Sequence, residues 1–223
     1  MPFPPPPAGC PAHTSHGHAV PPQLLAGFVP RPFPKGYLLS TPGGGRDQVF
    51  IVDSGRLRVY LAGANRALSL SYLGPGDIYS THTPTYVETV APSRLWLMDT
   101  ATFAARLSSE PGVHPLIMRV LGRLLNDAVT LVEDLAFREV PARLARFLLG
   151  LVERRGQAQP GGARLIALEL TVEDIASLLG STRQTVSSLM SQWQRDGLIE
   201  RQGRRNLLIV APAALAALCA PPS

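Results

Sequence analysis

A chain of 223 residues can hold one large domain or two small ones, and 45% hydrophobic against 17% charged residues is a core-building composition. The formal net charge of +5 favours an anionic partner. Two cysteines near opposite ends, Cys10 and Cys219, make no disulfide framework, zinc cage or iron–sulfur cluster.

The opening stretch MPFPPPPAGCPAHTSHGHAVPP, residues 1–22, reads as a flexible arm. Proline fixes φ and donates no hydrogen bond, so neither a helix nor a central strand is expected there. His13, His16 and His18 are either incidental in that arm or ligands on it. Removal of the initiator methionine would leave Pro2 with a free secondary amine, a potential metal ligand. No charged segment precedes an apolar run, and no apolar stretch is long enough to span a bilayer, so a cytoplasmic protein without a membrane partner is expected.

Residues 23–112 carry β texture. After the apolar segment Leu24 to Val29 and one strand among turns, Val49 to Val52 forms a run and Asp53-Ser54-Gly55 a turn. Leu57, Val59 and Leu61 then alternate with Arg56, Arg58 and Tyr60, which predicts one buried face. Further runs fall at Ala67 to Leu73, Tyr86 to Val90 and Arg94 to Met98. Short strands with frequent turns predict a small antiparallel barrel or jelly roll. Asp99 or Thr100 is placed to cap a short helix.

Residues 113–140 read as one long helix and a hinge. Pro115 opens the helix, which runs to about Phe137. His114, Met118, Leu121, Leu125, Ala128, Val132 and Leu135 fall at a and d heptad positions, with Ile117, Val120, Leu124 and Leu131 in a second stripe. One stripe covers the roll; two also fit a parallel coiled coil with a second copy, a homodimer. Val140 precedes Pro141, which disfavours a continuous helix and makes 137–140 a hinge candidate.

Residues 141–223 hold the strongest motif, TVEDIASLLGSTRQTVSSLMSQWQRDGL from Thr171 to Leu198. Thr171 with Asp174 forms a capping box, Gly180 ends the first helix, and Ser181 with Gln184 is expected to cap the second. Val186, Leu189, Met190 and Trp193 repeat at helical spacing as its inner face. Two strands flanking RQGRRN form a wing, and a short apolar helix from Ala213 to Cys219 closes the chain. This is the pattern of a winged helix-turn-helix, whose second helix enters the major groove of double-stranded DNA.

The DNA-reading candidates follow. Arg183 and Gln184 open the second helix, where arginine can bridge guanine O6 and N7 and glutamine adenine N6 and N7. Thr182, Ser187 and Ser188 are small and polar, suited to close approach. Arg201, Arg204 and Arg205 crowd the wing tip, where phosphate is the natural partner. GC-rich coding could also produce an arginine bias, so these residues argue through their positions. No paired carboxylates, nucleophile triad or phosphate loop point to an enzyme.

A roll, a long helix, a hinge and a winged helix-turn-helix resemble the CRP/FNR regulator family over nearly the whole chain after residue 35, with TRQTVSSLM similar to its recognition helix. The stretches VFIVDSGRLRVYLAG, GDIYSTHT and VLGRLLN…TLVEDLAF resemble the haem-containing carbon monoxide sensors within it. The resemblance implies an α+β fold with a cyclic-nucleotide-binding-like roll, a dimerisation helix and a winged DNA-binding domain. It implies an activator that meets RNA polymerase on a near-palindromic DNA site.

The same resemblance implies haem b held by His82 and the Pro2 amine, and Ile117, Met118, Leu121, Gly122 and Leu125 facing the effector. Carbon monoxide would displace one axial ligand, and a hinge at Phe137 would reorient the DNA-binding domains. By itself, His82 would read as a hydrogen-bonded structural residue. One departure is Ser80, which stands where those sensors carry a thiolate ligand, so a redox ligand switch is absent or uses another group, with Cys10 or the arm histidines as candidates. The region STHTPTYVETVAPS lacks the acidic Gly-rich turn and Arg-Ser pair of the cyclic-nucleotide branch, and the oxygen-sensing branch needs four cysteines. Two other readings stay open: a regulator of this family with another effector or none, and a haem or metal carrier.

Overall fold

The structure, a computed structural model, describes residues 22–44, 47–63, 67–109, 114–203 and 205–219. The readings made for Pro2, Cys10, His13, His16, His18 and Arg204 fall outside the described residues. The chain divides into two compact units, one ending at Leu125 and the other beginning at Asn126.

The first unit runs α1 (Pro22–Leu25), β1 (Val29–Phe33), β2 (Leu38–Ser40), β3 (Gln48–Ser54), β4 (Leu57–Ala62), β5 (Ala67–Leu73), β6 (Ile78–Ser80), β7 (Tyr86–Thr89), β8 (Ser93–Asp99) and α2 (Thr100–Ser109). The strands form two antiparallel four-stranded sheets, β1-β8-β3-β6 and β2-β7-β4-β5. Phe50, Val52, Leu95 and Leu97 of the first pack with Leu57, Val59, Leu73 and Val87 of the second. On the other face of β3, Val49 and Ile51 join Leu24, Phe28, Met98 and Phe103. Both faces of β3 are therefore covered, which explains its unbroken apolar run.

The alternation expected on β4 fails at its end. Leu57 and Val59 are buried, but Leu61 is 41% exposed. Pairing with β7 ends at Tyr60, so Leu61 lies on the part of β4 that β7 no longer flanks. Pro30 and Pro32 obscured β1 in the sequence; β1 is an edge strand, where a missing N–H is tolerated. Asp99 is the residue that caps α2, accepting from the Ala101 amide at 2.9 Å. Arg106 of α2 donates to the carbonyls of Leu24 and Ala26, fastening the end of α1.

The second unit takes in the end of α3 (His114–Phe137), then α4 (Val140–Arg155), β9 (Gln157–Ala158), a 3-10 turn (Pro160–Gly162), β10 (Arg164–Ala167), α5 (Val172–Leu178), α6 (Arg183–Arg195), β11 (Ile199–Gln202), β12 (Asn206–Ile209) and α7 (Pro212–Ala217). Its sheet has the order β11-β12-β10-β9. Leu144, Leu148, Ile166, Ile175, Ile199, Leu207, Ile209 and Leu215 are fully buried.

Helix α3 stops at Phe137, and Glu139 is extended (φ −74°, ψ 163°) before α4 starts with Pro141 in its first turn. The steric conflict between proline and a helical predecessor explains this break. Along the later turns of α3, Thr130, Leu131 and Asp134 are buried, whereas Val129, Val132 and Leu135 are exposed. Met118, Leu121 and Leu125 are also exposed, at 67%, 53% and 67%. A large apolar side chain left in water at heptad spacing is an unsatisfied surface.

Candidate nucleic-acid interface and effector site

The helix-turn-helix is assembled from local signals. Thr171 caps α5 through a reciprocal capping box: its Oγ1 accepts from the Asp174 amide at 3.2 Å, and the Asp174 carboxylate accepts from the Thr171 amide at 2.9 Å. Gly180 takes φ 60°, which an L side chain rarely adopts, and the Ser181 amide folds back to the Ala176 carbonyl at 2.9 Å. That bond makes Ser181 part of the turn. The expected cap at Ser181 with Gln184 is therefore corrected: Thr182 is the N-cap, accepting from the Thr185 amide at 3.1 Å.

Val186, Met190 and Trp193 of α6 are buried and Leu189 is half-buried, which fixes the inner face. Thr182, Arg183, Gln184, Ser187 and Ser188 are all exposed. Ser191 and Arg195 are exposed as well and extend the row begun by Gln184 and Ser188 at helical spacing. The spacing itself marks these two as further candidates that the sequence reading did not name. Arg183 has no acidic residue near it in the first turn of α6. A cation beside the positive end of a helix dipole is stabilised by an anionic ligand.

Across the wing, Glu200 pairs with Leu208 and Gln202 with Asn206, and Gly203 takes φ 72° in the tight connection. Arg201 and Arg205 flank that connection and are exposed. Residues 183–205 thus present arginines from two elements of one domain.

In the first unit, β3 and β6 build the surroundings of His82. Val49 pairs with Ser80, so one step further Gln48 meets Thr81 and Asp47 meets His82. Thr81 is pinned twice: its amide donates to the Gln48 carbonyl at 2.9 Å, and its hydroxyl accepts from the Gln48 amide at 2.8 Å. Ser40 donates to the Thr81 carbonyl at 3.2 Å. His82 itself is exposed, with Nδ1 3.1 Å from the Asp47 carboxylate. An acidic acceptor at Nδ1 selects the tautomer with its proton there and leaves Nε2 as a lone-pair donor. Sequence reasoning missed Asp47, because only the strand register brings it to His82.

Ser80 has its own part. Its hydroxyl accepts from the His82 amide at 3.2 Å, which helps shape the turn that presents the imidazole. Beyond it, the Thr83 hydroxyl lies 2.8 Å from that of Thr85 and 3.2 Å from that of Tyr79. Of the effector-facing candidates on α3, Met118, Leu121, Gly122 and Leu125 are exposed, and a Cβ added at Gly122 would meet no atom within 4 Å. Ile117 lies on α3, but its side chain is outside the described ones.

Residues 142–218 match the Crp-like helix-turn-helix domain. Over 201 residues, 85% of this chain and 89% of the relative, the sequence is 30% identical to a CRP-like cAMP-activated global transcriptional regulator of Mycobacterium tuberculosis. The chain belongs to the CRP/FNR family. It is a DNA-binding transcriptional regulator of that type, and the relatives it matches are regulators, not enzymes. Among solved structures, a CooA variant from Carboxydothermus hydrogenoformans is 33% identical, with a TM-score of 0.83 over 89% of this chain and 90% of that one. The reduced, Fe(II) CO-sensing protein from R. rubrum is also 33% identical over 88% of this chain and 92% of that one, with a TM-score of 0.50. The roll, central helices and helix-turn-helix are those of the CRP-like fold. Among the described residues, no helix is long and apolar enough to cross a membrane.

Proposed function

We propose that this regulator is a homodimeric, haem-dependent carbon monoxide sensor. The observation that carries the reading is His82, held at Nδ1 by Asp47 on a turn pinned to β3. The similarity to CooA over 89% of the chain supports it. An imidazole donor of this kind would suit the iron of haem b. His82 would hold the haem iron in this reading, together with Pro2 or a histidine of the arm.

When bound, ferrous haem supplies an iron centre that carbon monoxide can ligate. The chain's own residues do the rest. Asp47 orients His82 from behind. His82 lies on a turn pinned to β3, so its hold on the group would be the firmer of the two. Met118, Leu121, Gly122 and Leu125 on α3 would face the effector. Two α3 helices meet along the exposed stripe, and the break at Arg138 and Glu139 lets the winged domains change orientation. Arg183 and Gln184 then read bases, Thr182, Ser187 and Ser188 approach the groove, and Arg201, Arg204 and Arg205 hold phosphates. An effector shifts such an equilibrium only through its differential affinity for the two states.

A second reading has one observation in its favour: the Mycobacterium tuberculosis relative is cAMP-activated by name. Against it, residues 80–93 contain no arginine or lysine to meet a cyclic phosphate. Visible spectra of the purified protein, oxidised, reduced and under carbon monoxide, separate the readings. A haem spectrum that shifts with carbon monoxide and is lost in His82→Ala is expected. A colourless protein that cannot be reconstituted, or tight cAMP binding, would overturn the proposal.

A further inference from the structure

The break between α3 and α4 is bridged by buried charge. Asp134, 8% exposed at its side chain, lies on the last turn of α3; Arg146, 7% exposed, lies on α4. The Nε of Arg146 stands 3.1 Å from Asp134 Oδ1. Arg138, in the break itself, donates to the same oxygen at 3.0 Å and to Glu133 at 2.8 Å. The Arg143 guanidinium also feels the Asp134 charge, and its Nε is buried without a hydrogen-bond partner. Two arginines thus contact one buried carboxylate and a third feels its charge, with half-exposed Glu133 beside them among the described residues.

This arrangement is poor as general stabilisation and good as a lock. Taking two charges out of water offsets most of their attraction, so a buried pair contributes little net stability. Removing one member, however, leaves the other buried and unpaired. The backbone between the helices is only two residues, Arg138 and Glu139, and Glu139 has no side-chain cap bond to hold its conformation. The ion pairs therefore carry the orientation that the backbone leaves free.

We propose that Asp134 and Arg146 form a latch across the α3–α4 break, fixing how the winged DNA-binding domain is carried on the end of α3, and that its opening belongs to the regulatory switch. The proposal rests on the reading of the chain as an effector-switched regulator, and the test separates the two.

The test uses full-length protein with Arg146→Met, and Arg155→Met as the control. Arg155 is on the same helix but pairs with Glu169 in a partly exposed contact. Hydrogen exchange is followed without DNA or effector at the Arg143 amide, which donates to the Glu139 carbonyl at 3.0 Å just past the break. Exchange about ten-fold faster in Arg146→Met, and unchanged in Arg155→Met, is expected. Affinity for a palindromic duplex is measured in parallel, with and without carbon monoxide. The ratio of the two should move by about ten-fold in Arg146→Met, whereas non-specific binding at low salt stays as in the wild type.

Unchanged exchange overturns the latch. Faster exchange with an unchanged affinity ratio also overturns it, because the pair is then only structural. Should the wild type show no response to carbon monoxide, the sensor reading fails on its own. The latch is then judged by effector-free affinity, which must differ about ten-fold between Arg146→Met and Arg155→Met. Should Arg146→Met not fold, Arg146→Lys keeps the cation, loses the guanidinium geometry and is scored in the same way.

Discussion

Asp47 and His82 face each other because the β3–β6 register, continued one step past Gln48 and Thr81, leaves them opposite, 3.1 Å apart. Both side chains are exposed, so the pair contributes little to stability. Its effect is on the orientation of the imidazole. In the haem reading, Asp47→Ala weakens haem retention by about 10–100-fold, the usual cost of losing a partner behind a metal-bound histidine. Asp47→Asn keeps an acceptor and should lose much less. Competitive haem transfer to an acceptor globin measures both. Equal retention in Asp47→Ala and wild type would remove Asp47 from the site.

Arg183 and Arg205 should fail differently. Arg183 opens α6, so Arg183→Ala should cost about 1–3 kcal/mol at one base position and relax preference there. Arg205 sits on the wing, so Arg205→Ala should weaken binding uniformly across sequences and reduce the salt slope by about 1. Binding to a substituted operator series at several salt concentrations distinguishes the two. Identical behaviour of the variants would contradict the split between base reading and phosphate contact.

The two caps make a sharper local test. Thr171→Ala and Thr182→Ala each remove an N-cap acceptor and should cost about 1 kcal/mol. Ser181→Ala should cost less, since Ser181 contributes its amide to the turn while Thr182 caps α6. Chemical denaturation of the three variants gives the order. A Ser181→Ala cost above that of Thr182→Ala would restore the cap that the sequence alone suggests.

Local patterns carried the winged domain. Capping residues, a glycine at the turn and the spacing of Val186, Met190 and Trp193 each act within a few residues, so the sequence displays them. The off-by-one cap at Ser181 shows where this ends: Ser181 and Thr182 are both good capping residues, and only the bond to Ala176 decides between them. Long-range pairing was not legible. Nothing near His82 points to Asp47, which is 35 residues away, and nothing near Pro141 points to Asp134 with Arg146. The edge strand β1 was hidden by its prolines, and the exposed end of β4 by its running past the end of β7.

Asp134 also predicts a pH dependence. Burial pushes its carboxyl up by more than Arg146 and Arg138 pull it down; Glu133 pushes up and Arg143 pulls down more weakly. The neighbouring Cys219 thiol is likewise pushed up by burial. A raised carboxyl pKa means the folded chain binds the proton more tightly than the unfolded one. The group then adds stability as pH falls through the folded value, and that contribution is lost as pH rises. Asp134→Asn removes the effect. The wild type should therefore gain on Asp134→Asn in unfolding free energy as pH falls from neutral toward the ordinary carboxylate range. Denaturant titrations across that range check this, and a gap that moves the other way would show that ion pairing outweighs burial.

The exposed stripe on α3 gives the last prediction. Met118, Leu121, Leu125, Val129, Val132 and Leu135 lie in water in the single chain. Meeting a second copy in parallel would bury them at knobs-into-holes spacing. Leu125 is 67% exposed and central in the row. Leu125→Glu removes one buried leucine from each copy, a loss of roughly 3 kcal/mol or more and about a hundred-fold or greater in dimer dissociation constant. Ser108→Glu, on the exposed side of α2, is the control and should leave assembly unchanged. Sedimentation equilibrium over a range of concentrations reads the constant directly. Binding to a single half-site should survive in Leu125→Glu while affinity for the full near-palindrome falls, since only the dimer can engage both halves. A wild type that sediments as a monomer, or a variant as dimeric as the wild type, would mean that something other than a second α3 covers this face.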